Sequence, residues 1–230
     1  MKTATLKQST EVLKLILEKE ISDEQLQWML ESGALSDLLD ANPDGYDRDA
    51  YRKFLGLNLL NPLLIPVDTV AVPATAILFV AREHFVMNAR DDAPVKISCL
   101  RDSSEGNFEN SRFGRWFLGK KEQPFGGSNL RYGKLSRPSV NEPIIAELGG
   151  EEEAETTLTE FFILLREQKK SKSGPLLTNG RPNIFYIRDV SGVLRSVRAC
   201  WFDGGWDVRA LAVADPRAWD DNSQVFSRIS

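Results

Sequence analysis

Residues 183–213 read NIFYIRDVSGVLRSVRACWFDGGWDVRALAV, and this stretch decides the fold class. It contains three runs rich in β-branched and aromatic residues: Asn183–Asp189, Val193–Trp201 and Trp206–Val213. Turn residues separate the runs, Ser191-Gly192 and then Asp203-Gly204-Gly205, and both turns are suited to hairpins. The sequence therefore predicts three consecutive antiparallel strands, a β-meander. Residue types alternate along the middle run, which predicts at least one buried face.

An amphipathic helix is predicted before the meander, at roughly Ala154–Lys169. Leu158, Phe161, Phe162 and Leu165 recur at helical spacing and define one apolar face. Acidic residues crowd its start and lysines its end, an order that the helix dipole favours. We predict an α+β fold in which the C-terminal antiparallel meander packs on this helix.

The N-terminal residues 1–57 are predicted to be helical, because their apolar residues fall near helical spacing. Ser22 and Gln25 have the form of a capping box, and Gly33 is the left-handed residue expected to end the helix that they begin. Gln25–Asp40 has the form helix, turn, helix. Residues 1–55 nevertheless contain 7 basic and 11 acidic residues, the wrong charge for reading DNA. We predict a helical segment that docks on the main domain or on a protein partner.

Three prolines between Asn58 and Pro73 favour a linker. The predicted organisation is thus a helical segment at 1–57, a proline-rich linker at 58–73 and an α+β domain at 74–230. Shorter elements are predicted inside this last domain: strands at Ala74–Val80, Val95–Leu100, Leu130–Leu135, Ile144–Leu148 and, at a sheet edge, Val225–Phe226, and helices at Ala81–Met87 and Glu109–Leu118.

The composition indicates a soluble globular protein, with 42% apolar and 27% charged residues among 230. Its two cysteines, Cys99 and Cys200, do not make a disulfide framework, which favours a reducing compartment. The N-terminus lacks the apolar run of a signal peptide, and prolines interrupt the longest apolar stretches. We therefore predict a cytoplasmic protein that has no association with a membrane.

A basic and aromatic segment at 112–137 is the strongest functional signal, with seven basic residues against one acid in a chain of net charge −4. Basic side chains interleaved with aromatic rings are typical of surfaces that bind phosphates and stack on bases. The sequence thus predicts contact with RNA or single-stranded DNA through Arg112, Arg115, Trp116, Lys120, Lys121, Arg131, Tyr132, Lys134 and Arg137.

A structural interpretation of the same segment is also open. The aromatic rings, among them Phe113, Phe117 and Phe125, would be core residues. The basic side chains would pair with the segment Glu142–Glu160, which has seven acids and no basic residue. Exposed pairs of that kind are worth only about 0–1 kcal/mol each, so they would not exclude a stronger anionic ligand.

Signals for catalysis are weaker. His84 and Cys99 are the one cysteine–histidine pair for nucleophilic catalysis, with Asp102 or Glu83 to orient the imidazole. The segment Gly114–Lys120 has the spacing of a phosphate-binding loop, but Lys121 follows where a magnesium-binding Ser or Thr is required. One histidine and two cysteines cannot supply four zinc ligands. We predict no metal and no cofactor.

Several blocks of the sequence resemble an uncharacterised family of small soluble proteins from bacteria with reduced genomes. These blocks include DEQLQWMLESGALSDLLDAN at 23–42, AETTLTEFF at 154–162, NIFYIRD at 183–189 and WDVRALAV at 206–213. The resemblance implies a complete cytoplasmic protein. It implies no activity, cofactor or catalytic residue.

The sequence thus favours a non-enzymatic binding or interaction protein, with weak, sequence-tolerant binding of RNA or single-stranded DNA as its sharpest form. One alternative is an enzyme that uses carboxylates and the basic segment on a phosphorylated substrate. Its signature would be a concave site where Arg115, Lys120 or Arg131 meets an acid. A second alternative is docking of a protein partner by the N-terminal helices. The oligomeric state is left open.

Overall fold

The computed structural model describes residues 17–33, 61–85, 111–168, 173–202 and 205–229, and residues 10, 11, 14, 15, 36, 49, 51 and 52. The chain divides into two compact units, Met1–Asn61 and Pro62–Ser230. The predicted strand Val95–Leu100, Cys99 and Asp102 lie outside the described residues, as does most of the second predicted N-terminal helix.

In the first unit, helix α1 (Asp23–Glu31) begins as predicted. The Ser22 hydroxyl accepts the Gln25 backbone N–H at 3.2 Å, and the Gln25 side chain accepts the Ser22 N–H at 3.1 Å. This reciprocal pair satisfies two backbone donors that a helix start otherwise leaves unpaired. Gly33 follows the helix with φ +76°, a conformation that glycine adopts at little cost. None of the α1 side chains is buried.

The second unit is an α+β domain built on a mixed sheet of seven strands, as the sequence predicts for the fold class. Its strands are β1 (Leu64–Val72), β4 (Ser128–Leu135), β5 (Glu155–Thr156), β6 (Asn183–Arg188), β7 (Leu194–Phe202), β8 (Gly205–Ala212) and β9 (Gln224–Arg228). A separate two-stranded sheet pairs β2 (Phe79–Val80) with β3 (Lys121–Glu122). The helices are α2 (Ala81–His84), α3 (Arg112–Phe117), α4 (Asn141–Leu148), α5 (Glu151–Ala154) and α6 (Leu158–Glu167).

The strand order of the large sheet is β1-β4-β9-β6-β7-β8, and β5 pairs with β6 beside the end of β9. Strands β6, β7 and β8 form the predicted antiparallel meander. Strand β9 runs parallel to β6 and antiparallel to β4, so it joins the meander to the β1–β4 pair.

Helices α3 and α6 cover one face of the sheet, called the α6 face below. Phe161 of α6 packs edge-on against Phe185 of β6 at 4.9 Å, and Phe185 stacks on Phe226 of β9 at 4.4 Å between ring centroids. Eight of the ten residues of α6 are buried, including the predicted apolar side chains. Each buried aromatic or aliphatic side chain of this kind contributes about 1.5–3 kcal/mol.

Helix α4 covers the middle of the opposite face, called the α4 face. Ile144 and Ile145 pack there on Ile184, Tyr186 and Val225. Asn141 is buried beside them. Its side-chain oxygen, Oδ1, accepts hydrogen bonds from the Tyr186 hydroxyl and the Trp219 indole. The side-chain polar groups of Asn141, Tyr186 and Trp219 are thereby satisfied, as burial requires.

The predicted proline-rich linker is wrong over most of its length, because β1 occupies residues 64–72. Proline is tolerated there since β1 lies at the edge of the sheet and its register with β4 shifts between Pro66 and Asp68. The missing N–H of Pro66 therefore interrupts no continuous ladder.

Four further elements differ from the sequence predictions. Only Phe79 and Val80 of the predicted strand Ala74–Val80 form a strand, β2. Residues 144–148 are helical, because Pro143 lies in the first turn of α4 and Gly149 ends it with φ +114°. Helix α6 begins at Leu158, where Thr157 and Glu160 form a capping box, rather than at Ala154. Strand β9 lies between β4 and β6 rather than at an edge. Within the described residues, no helix is long and apolar enough to span a bilayer.

Gly133 is required for the close pairing of β1 with β4. A Cβ atom at this position would lie 2.9 Å from the carbonyl oxygen of Ile65. We expect Gly133→Ala to lower the free energy of unfolding by about 1–3 kcal/mol, because a backbone atom must move. Gly126→Ala is the control, since nothing lies within 4 Å of its Cβ position. Urea denaturation of both variants tests this, and equal stabilities would contradict it.

Candidate functional site

The α3 part of the basic segment is largely engaged with the protein itself. Phe113 and Phe117 are core residues, as the structural interpretation predicts. The ring of Trp116 lies under the Arg195 guanidinium, 4.0 Å from its centroid. Arg112 pairs with Asp215 at 3.6 Å. Trp116 is therefore not an open stacking platform on the side that Arg195 covers.

The two lysines that follow α3 have different surroundings. The ammonium of Lys120 pairs with Glu122 at 3.3 Å and donates to the Arg188 carbonyl. Lys121 and Arg115 are exposed. Phe125 is partly buried against the core of the α6 face. Lys120 thus serves the contact between the small sheet and the large one.

The β4 part lies elsewhere on the domain. Tyr132 stacks on Phe226 at 5.2 Å between centroids on the α6 face, and burial raises its pKa. Lys134 shares that face by strand alternation, whereas Arg131 lies on the α4 face. Arg137 is exposed beyond the strand and contacts the Ser136 hydroxyl. Consecutive basic residues of β4 thus point to opposite sides of the sheet.

The two parts of the segment are separated by the sheet. Helix α3 packs against β8 at one end of the sheet, whereas β4 lies four strands away. Four strand spacings amount to roughly 19 Å. The structure therefore keeps the α3 residues Arg112, Arg115 and Trp116 apart from Arg131, Tyr132, Lys134 and Arg137. Lys120 lies at a third place, beside Arg188 of β6, and Lys121 follows it in β3.

The acidic segment 142–160 is used in several places. Glu151 and Glu155 pair with Arg188. Glu160 is fully buried, pairs with Arg228 at 3.1 Å and accepts the Ser128 hydroxyl at 2.6 Å. These carboxylates hold α5 and the start of α6 onto the sheet, a structural role.

A cleft opens on the α4 face where α4 ends beside the β1–β4 pair. It has a volume of about 360 Å³. Leu64, Pro66, Val67, Leu148 and Val225 form apolar walls. Gly133 of β4 also lines it, and the absence of a side chain there leaves room. This volume lies in the range of small-molecule sites in proteins, which are apolar with a few convergent polar groups.

Arg131 is the cation of this cleft. Its Nε donates to the Ser227 hydroxyl at 2.9 Å, and one Nη donates to the Leu148 carbonyl at 2.9 Å. Both acceptors are neutral, and in the described part of the chain no carboxylate pairs with this guanidinium. Its position is thus fixed while its charge is not offset, and guanidinium N–H groups remain for a ligand.

Two carboxylates reach the same cleft, and neither opposes Arg131 directly. Glu147 accepts the backbone N–H groups of Leu63 and Leu64 at 2.8 and 2.7 Å. Both of its oxygens therefore hold the start of β1 against α4. Asp68 accepts the Thr69 N–H at 2.7 Å through one oxygen. Asp68 is paired in register with Tyr132, whose ring lies on the α6 face, so its side chain is not directed at Arg131.

A smaller cavity of about 230 Å³ lies on the α6 face. His84, the single histidine of the chain, lines it between the rings of Phe79 and Phe162, each 4.6 Å away between centroids. Arg166 lies at the same cavity. The predicted partner Cys99 is outside the described residues, so the catalytic pair stays a prediction.

The phosphate-loop spacing at Gly114–Lys120 falls on α3 and the turn after it. The Ser111 hydroxyl accepts the Gly114 N–H, so the helix start is capped by the chain itself. No group of three His, Cys, Asp or Glu side chains in the described residues is arranged to hold a metal ion.

The cleft contains Arg131 and Tyr132 from the residues singled out in the sequence. Sequence reasoning missed Glu147, Leu148, Ser227 and the whole of β1, which come from three distant segments. Pro66 in a run otherwise typical of a strand was the one local signal for an edge strand. Comparison with protein-family models, with curated proteins and with solved structures gives no match.

His84 gives the domain a pH dependence of known sign. Burial lowers its pKa below the ordinary 6.5, Arg166 lowers it further and Glu83 raises it. The folded state therefore disfavours the imidazolium. The neutral imidazole contributes fully to stability above pH 6.5, and this contribution is lost as the pH falls through the folded pKa. We expect the free energy of unfolding of the wild type to fall relative to that of His84→Phe as the pH is lowered over that range.

Urea denaturation at several pH values measures this difference. The imidazole NMR signals, unique in an untagged chain with one histidine, give the folded pKa directly. A folded pKa at or above 6.5 contradicts the prediction.

Proposed function

We propose that this protein is a non-enzymatic binding protein for a small, mainly apolar molecule with one anionic group. The ligand occupies the cleft between β1, β4 and the end of α4. The observation that carries this proposal is a cleft of about 360 Å³ in which Arg131, the one cation among the described lining residues, is held by neutral acceptors.

The chemistry of the cleft favours this class of ligand over a purely apolar one. Leu64, Pro66 and Leu148 remove apolar surface from water at about 25 cal/mol per Å². Arg131 donates charge-assisted hydrogen bonds to the anionic group, and such bonds are about twice as strong as neutral ones. Because Ser227 and the Leu148 carbonyl already orient the guanidinium, little side-chain entropy is lost on binding.

RNA or single-stranded DNA is a less favoured ligand. A strand that contacts both α3 and β4 would have to cross roughly 19 Å of sheet. Trp116 has one ring face covered by Arg195, and Tyr132 is packed on Phe226. Binding of nucleic acid therefore remains a prediction to be tested with the same protein.

An enzyme is the alternative that the cleft itself suggests, since Arg131 and two acids line one concave site. Glu147 is engaged by two backbone N–H groups, and Asp68 is paired in register with Tyr132, whose ring lies on the other face of the sheet. A binding protein requires only the cation and the apolar walls, so we favour binding.

A fluorescent probe of the proposed ligand class tests the cleft. The probe 8-anilinonaphthalene-1-sulfonate has an apolar body and one sulfonate. We expect one molecule to bind with a Kd of roughly 1–100 μM. Arg131→Gln should weaken binding roughly tenfold, because the sulfonate loses its charge-assisted hydrogen bonds. Thr69→Trp should also weaken it, because the indole fills the cleft from β1.

Arg181→Gln is the matched control, since Arg181 is an exposed arginine that pairs with Asp221 away from the cleft. Its Kd should equal that of the wild type. Equal probe affinity in all four proteins would contradict the proposal. Labelled single-stranded RNA, titrated at low and high salt, is the parallel arm, and salt-sensitive binding of this RNA would favour the nucleic-acid prediction.

Docking of a protein partner by the N-terminal unit is a second candidate, favoured by one observation. Trp28 of α1 is 63% exposed, so a large apolar surface is open around this side chain. If this surface binds a partner, Trp28→Ser should abolish the complex and leave the free energy of unfolding nearly unchanged. Size-exclusion chromatography with light scattering on the co-purified complex measures this, and a complex that survives the change contradicts it.

A further inference from the structure

Two arginines lie side by side on the α4 face, at the end of the sheet away from the cleft. Arg198 of β7 is directly paired with Arg209 of β8 in the antiparallel register. Val197, Ala199, Val208 and Ala210 belong to the core of the α6 face, so strand alternation puts both arginines on the other face. Like charges at directly opposed positions destabilise a strand pair unless something compensates them.

Asp207 compensates only part of this charge. Its carboxylate accepts the Arg209 Nε at 3.0 Å and lies 3.9 Å from an Nη of Arg198, through the same oxygen. Both guanidiniums therefore converge on one point of the sheet surface. One acid between two arginines leaves a net charge of +1 in the cluster.

The polar atoms around this point are incompletely satisfied. The Nε of Arg198 is buried and has no hydrogen-bond partner in the described residues. The hydroxyl of Ser196, two positions earlier on the same face, is likewise buried without a partner, and Ser196 is 0% exposed. Native proteins rarely leave such groups unpaired, so we expect water or a ligand at the Arg198 Nε.

The cluster is open to solvent at the guanidinium ends. The Arg198 and Arg209 side chains are 26% and 17% exposed, whereas Asp207 is 5% exposed. Cys200 is buried beside them, and both arginines lower its pKa although burial raises it overall. An arriving anion therefore meets two guanidiniums, while the carboxylate that orients them lies below the surface.

We propose that Arg198 and Arg209 form a binding site for a tetrahedral oxyanion, a phosphate group, with Asp207 as the residue that positions the arginines. The site takes free phosphate or the terminal group of a phosphomonoester. Guanidinium forks match phosphate oxygens in pairs, which makes arginine the usual residue at such sites.

Ordered water is the competing partner for the same atoms. Water would satisfy the Ser196 hydroxyl, but it would leave the +1 charge of the cluster uncompensated. A dianionic phosphate satisfies the donors and reverses the repulsion between the arginines. The site lies apart from the Arg131 cleft, so it does not depend on the proposed function.

Isothermal titration with inorganic phosphate at pH 7.5 and constant ionic strength tests the site, with phenyl phosphate and sodium chloride as further arms. We expect one saturable site for phosphate, with a Kd of roughly 0.1–1 mM, and no site for chloride. Arg198→Gln should weaken phosphate binding roughly tenfold or more, and Arg198→Lys should weaken it less. Tighter binding of phenyl phosphate identifies a phosphomonoester as the preferred source of the group.

Arg198 is the better position to change, because its guanidinium donates no hydrogen bond within the described residues and its loss should not unfold the domain. Arg181→Gln is the control, since Arg181 is an exposed arginine outside the cluster, and this variant should bind phosphate as the wild type does. No saturable phosphate binding by the wild type overturns the proposal. Equal affinity in the folded Arg198→Gln variant also overturns it.

Discussion

Burial of β6 on both faces is the constraint on which the domain depends. Phe185 and Ile187 belong to the core under α6, whereas Ile184 and Tyr186 belong to the core under α4. A strand that is apolar on both sides requires a cover on each side. Helix α4 covers the middle of its face, over β9 and β6. The two candidate binding sites lie on either side of that cover, one at β1–β4 and one at β7–β8.

Buried polar groups hold these covers in place. Asn141 ties α4 to Tyr186 and Trp219, and Glu160 ties α6 to Ser128 and Arg228. A buried carboxylate without such partners would be costly, so Glu160 is stable only when β4 and β9 are both in position. Glu160, one of the carboxylates that the sequence offers for catalysis, thus has a structural role.

The sequence predicts the parts of the fold that are decided by local patterns. The meander, the apolar face of α6 and the Ser22 capping box all follow from residues close together in the chain. The position of β9 does not, because it depends on which distant strands accept it. The cleft could not be predicted either, since β1, β4, α4 and β9 meet there from segments separated by as many as 160 positions.

Density of charge along the chain is a poor guide to a binding site in this protein, and the reason is physical. The basic segment is the strongest functional signal in the sequence, yet Lys120 pairs with Glu122 and Arg195 covers one face of the Trp116 ring. Arg131 differs from Lys120 because neutral acceptors orient it without matching its charge. Arg198 differs because its Nε has no partner among the described residues. Affinity for an anion depends on charge left uncompensated in a partly desolvated place, because water and salt weaken interactions of exposed charges. Sites of this kind form where the helix that covers a sheet ends. In this domain the lengths of α4 and of the edge strands determine which part of the sheet stays uncovered.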